Sequence, residues 1–99
     1  MTVAQLNKFF KDNDDEFLKF EKIPVTRRLS SRPDLNAFML LDQLAPGDEG
    51  IVCSAEHDEI YLSLSRKAIT CLASEDQILD LIRCGLRLDD FGDGFAMFV

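Results

Sequence analysis

The sequence is short of positive charge, holds a single histidine and has no long apolar run, and each shortage closes a class of function. Eleven Lys and Arg stand against eighteen Asp and Glu, for a net charge of −7 and a pI near 4.5. A surface of that sign repels phosphate backbones, so the expected ligands do not include DNA or RNA. No apolar stretch approaches the roughly eighteen residues that a spanning helix needs, and no membrane association is expected. The opening Met1-Thr2-Val3-Ala4-Gln5 lacks the basic and apolar regions of an export signal. Cys53, Cys71 and Cys84 are odd in number and form no C-x-x-C pair. They point to neither a disulfide framework nor a zinc knuckle, but to a reducing cytoplasm in which each thiol is a small buried hydrophobe. There is no internal repeat, no low-complexity tract and no linker rich in proline or glycine.

What is present suffices for one domain over residues 1–99, since hydrophobic residues make up 46% of the chain. Charge is uneven along it. Residues 1–50 hold seven basic and nine acidic groups, and residues 51–99 hold four and nine, so the second half carries five of the seven excess charges. Its field favours a basic partner.

Local signals predict an α+β fold with N-terminal helices and two β-hairpins forming an antiparallel sheet packed against helices. Thr2 with Gln5 makes a capping-box pattern ahead of Val3, Leu6, Phe9 and Phe10 at helical spacing. Phe17, Leu18 and Phe20 form a further apolar cluster before Pro24, and residues 25–33 form a polar connector ending in Ser31, a candidate cap, and Pro33. A helix follows from Pro33 to Leu44, stopped by Pro46-Gly47. Its polar Asn36, Asp42 and Gln43 occupy one narrow arc, which predicts a central core helix or one shared with a second subunit.

Ile51–Ala55 and Glu59–Leu64 read as strands, the second sending Ile60, Leu62 and Leu64 to one face, with a hairpin through Glu56-His57-Asp58. Ser65 caps a short helix to about Leu72, and Ser74 with Gln77 opens another that ends at Gly85. Residues 86–89 and 95–99 flank a turn to make the second hairpin. Phe95, Met97 and Val99 alternate with Ala96 and Phe98, so both faces of the last strand are apolar. Such a strand belongs inside its own sheet, or adds to the sheet of a second copy.

Four groups of residues have the potential for chemistry. Glu56-His57-Asp58-Glu59 could offer oxygen and nitrogen to a divalent metal, but neighbours on a strand diverge, and a solvated turn is the plainer reading. Asp89-Asp90-Phe91-Gly92-Asp93-Gly94 resembles a calcium loop only superficially: Phe91 stands where the third oxygen ligand belongs, and the twelfth position falls beyond residue 99. A cysteine nucleophile paired with His57 is disfavoured, because Cys84 ends a helix and Cys53 and Cys71 lie in apolar patterns. Arg27, Arg28 and Arg32 are the one local excess of positive charge, and Arg27-Arg28-Leu29-Ser30 matches a basophilic kinase site. Pairing with the chain's own carboxylates is the expectation.

Arg32–Phe38, Ala55–Leu62, Ile82–Gly85 and Ala96–Val99 together resemble a family of short acidic proteins encoded by bacteriophages and prophages. The resemblance spans most of residues 30–99 and implies a bacterial or viral setting, without an activity. No catalytic residue, cofactor or metal is assigned. The expected function is a non-enzymatic protein-interaction or regulatory domain, in its sharper form an inhibitor or immunity-type protein. Glu56, His57, Asp58, Glu59, Asp89, Asp90 and Asp93 are its candidate surface. The alternatives are a small metal-dependent enzyme built on His57 and its carboxylates, and an assembly subunit that forms homo-oligomers through the C-terminal strand.

Overall fold

Capping governs where the first helix begins. In the computed structural model, which describes residues 1–98, Thr2 Oγ1 accepts from the Gln5 amide at 3.1 Å and Gln5 Oε1 accepts from the Thr2 amide at 2.7 Å. α1 (Val3–Asp12) follows with Leu6 and Phe10 buried, and Asn13 closes it by donating from Nδ2 to the Phe9 carbonyl. Three single-turn 3₁₀ segments then carry the chain to residue 27. They lay Phe17 and Phe20 against the core and bury Ile23.

α2 (Pro33–Leu44) starts at its proline as expected, but Ser31 is not its cap. Arg32 takes that position without a side-chain bond. The work passes to Asn36, whose Oδ1 accepts from the amides of Leu29 at 2.6 Å and Ser30 at 3.1 Å. Asn36 is therefore buried with Ala37 and Leu41, while Leu35 and Met39 are exposed. The expectation of a helix buried on most sides is corrected: α2 packs on α4 with one face only. Asp42 and Gln43 face solvent as expected, and Asn36 alone leaves the polar arc because it satisfies loop amides.

β1 (Val52–Glu56) and β2 (Glu59–Leu62) form the first hairpin, with His57 in the left-handed region at φ 57°. That conformation suits the tight two-residue turn. α3 (Arg66–Leu72) and α4 (Glu75–Cys84) start at side-chain caps from Ser65 and Ser74. Gly85 stops α4 at φ 109°, where an added Cβ would meet a Leu18 methyl at 2.9 Å. β3 (Arg87–Leu88) and β4 (Phe95–Phe98) make the second hairpin.

The result is the expected α+β architecture, an antiparallel sheet ordered β1-β2-β4-β3 with helices against it. β4 is the strand that joins the hairpins, pairing Tyr61 with Ala96 and Glu59 with Phe98. It lies inside its own sheet, so both its edges are taken within the chain. Leu62, Phe95 and Met97 face the core with Leu6, Ile69, Ile78, Leu81 and Ile82. Phe98 departs from the two-sided burial predicted for this strand, being 56% exposed; Val99 lies outside the described residues.

Candidate interaction surface

Alternation along the sheet decides which side chains can meet on its outward face. Glu59 and Tyr61 of β2 point away from Leu62 and the helices, beside Glu56 and Ser54 of β1 and opposite Phe98 and Ala96 of β4. Arg87 stands opposite Ala96 on β3. Because residue 96 is only an alanine, the guanidinium can reach across β4 to pair with Glu59 Oε1. It also sits 4.5 Å over the Phe98 ring, and Ala96 beneath is fully covered. The Arg87 Nε is buried and has no hydrogen-bond partner among the described residues.

Tyr61 Oη donates to the other Glu59 oxygen at 2.7 Å. That bond, partial burial and the negative fields of Glu59, Glu56 and Asp89 push the phenol from 10.0 up to about 12. Carboxylates from both acidic segments thus act on one aromatic side chain. The turns themselves part company. The register places residues 57 and 58 at the Phe98 end of the sheet and residues 90–94 at the Phe95 end. Asp58 and Asp93 therefore stand far apart along the strands, and Asp90 lies 3.9 Å from an Arg87 nitrogen.

His57 is exposed, 3.9 Å from the Glu56 carboxylate. Glu59, the alternate residue expected to join it around an ion, is engaged by Arg87 and Tyr61. Among the described residues no group of three His, Cys, Asp or Glu is placed to hold a metal.

The loop that looked like a calcium site surrounds a cation of another kind. Arg66, at the start of α3, donates to the carbonyls of Asp89 at 2.7 Å, Gly92 at 3.1 Å and Gly94 at 3.1 Å, and to Asn7 Oδ1 at 3.2 Å. Sequence reasoning passed over this residue, since nothing local to it announces that carbonyls more than twenty positions away will converge there.

The cysteines divide. Cys84 is buried, and burial pushes its thiol up to about 11, against a bond from Asn36 that lowers it. Cys53 and Cys71 are exposed, which corrects the expectation that all three are buried: one lies on the open edge strand β1, the other on the solvent side of α3. Of the arginines, Arg27 grips buried Asp80 through two bonds of 2.9 and 3.0 Å. Arg28 turns to the carbonyls of Ile23 and Glu21 and lies over Phe20. Arg32 is exposed.

No family model matches the chain, and neither a curated protein nor a solved structure matches it significantly. Among the described residues no helix is long and apolar enough to cross a membrane.

Proposed function

We propose that this protein is a non-enzymatic interaction domain of the inhibitor or immunity type, which presents carboxylates to a basic protein partner. What supports this reading is the alternation that sets Glu56, Glu59 and Tyr61 together on the outward face of the sheet, with Asp89 near enough to add its negative field. A half-exposed Phe98 beside them adds apolar area to the charge. Aromatic anchors ringed by charge are the composition that binding faces favour, with the charge steering encounter and the aromatics holding the complex. The bacteriophage or prophage setting implied by the resemblance, and a cytoplasmic location, belong to the same proposal.

Affinity capture from the cells that encode the chain tests it, run in parallel with wild type and the Glu56→Gln/Asp89→Asn double variant. Both substitutions keep shape and hydrogen-bonding oxygens, so the fold is retained and circular dichroism will confirm it. Mass spectrometry should identify a basic protein held by wild type, released by salt and lost from the variant. Equal recovery by both chains would refute the reading.

A further inference from the structure

We infer that two copies of this chain dimerise by exchanging Phe91, each ring entering an apolar groove between α1 and β3 of the other copy. Phe91 is 94% exposed, more than any other large apolar side chain among the described residues. Its loop is not loose: the Phe91 amide donates to Asp89 Oδ1 at 3.0 Å, and the carbonyls of Asp89, Gly92 and Gly94 close on Arg66. The backbone that presents the ring is therefore already ordered for binding.

The hole is on the same molecule. Phe10, Phe17, Ile82, Leu88 and Phe98 line a groove of about 400 Å³ that is open to solvent. A cavity of about 150 Å³ already accepts benzene, so a phenyl ring has room. Charge agrees with shape. The groove is bordered by Lys11 and Arg87, with Asp14 the one carboxylate among its lining, whereas Phe91 is flanked by Asp89, Asp90 and Asp93. Arg87 is already engaged by Glu59, so Lys11 is the cation of the border that meets the acidic flanks of Phe91 when two copies approach.

Position favours a closed pair over a filament. Asn7 lines the groove and also accepts from Arg66, the residue that holds the Phe91 loop. Knob and groove are therefore neighbours, and one two-fold axis beside them can seat both rings at once. The groove shares Arg87 and Phe98 with the face around Tyr61, but self-association is read on the purified chain and capture of a basic partner on the Glu56→Gln/Asp89→Asn variant, so the two fail by different measurements.

Sedimentation equilibrium from about 10 μM to about 1 mM protein tests the inference over the range in which a modest dimer declares itself. Wild type should show a concentration-dependent dimer, and Phe91→Ala, which removes an exposed ring and leaves the fold intact, should weaken it roughly a hundredfold because two contacts are lost. Lys11→Glu should weaken it from the groove side. Isotope-labelled Phe91→Ala mixed with unlabelled wild type should show shifts at Phe10, Leu88 and Phe98. A wild type that is monomeric throughout, which would leave the groove to a different protein, overturns the inference. So does a Phe91→Ala chain that dimerises as tightly as wild type.

Discussion

Tyr61 is the one tyrosine in a chain without tryptophan, so its ionisation can be followed by absorbance without interference. Its bond to Glu59, its partial burial and the surrounding carboxylates all favour the neutral phenol. The midpoint should lie near 12, and Glu59→Gln should return it toward 10.0. The sign for stability follows from proton binding. Between the ordinary value of 10.0 and the raised value of about 12, the folded chain holds a proton that the unfolded chain has lost. This contribution is complete below that window and disappears as pH rises through it. Urea denaturation on either side should show wild type losing more stability than Tyr61→Phe; parallel losses would contradict the assignment.

Among the elements, helix starts are built in two ways. α1 and α4 open with reciprocal capping boxes, whereas α2 lacks a side-chain cap and relies on Asn36, one turn inside it, to hold the two loop amides before it. Losing an exposed cap leaves its amide to water and costs about 1 kcal/mol. Losing Asn36 strips partners from amides in a part-buried site, where each can cost about 1–3 kcal/mol. Asn36→Ala should therefore lower the denaturation midpoint by more than Ser74→Ala, with the slope unchanged in both. The N-terminal capping signals, Pro33 and Gly85 were legible in the sequence because they act within a few residues. Asn36 was not, because the same residue on an exposed arc and on a buried one has the same local pattern.

Across the whole molecule, charges join segments that are far apart in the chain. Asp80, 5% exposed on α4, receives Arg27 from the 3₁₀ region and Arg83 from its own helix at 3.2 Å, and Arg83 continues to Glu16 at 3.3 Å. Lys22 completes the chain of pairs at Glu16. This network clamps the irregular stretch after α1 onto α4. Asp80→Asn would take the paired carboxylate from Arg27 and leave Arg83 to Glu16 alone, and should cost about 2–4 kcal/mol in urea denaturation. A loss no larger than that of an exposed pair, about 1 kcal/mol or less, would show that the clamp contributes little.

Most of the elements were determined by the sequence alone: the four α-helices, with the caps of α1, α3 and α4, the two hairpins, and the interior place of the last strand in its sheet. Those follow from steric preference, capping and alternation, all of which act between near neighbours. Tertiary structure alone decided which faces of those elements meet. The pairing of β2 with β1 and β4 puts Glu56, Glu59 and Tyr61 on one outward face beside Phe98, and the return of residues 89–94 to Arg66 turns an apparent metal loop into a guanidinium site. It also left Phe91, Cys53 and Cys71 in solvent. Burial is a property of what the rest of the chain places alongside a residue, and hydrophobic patterning states a preference for cover without naming what provides it.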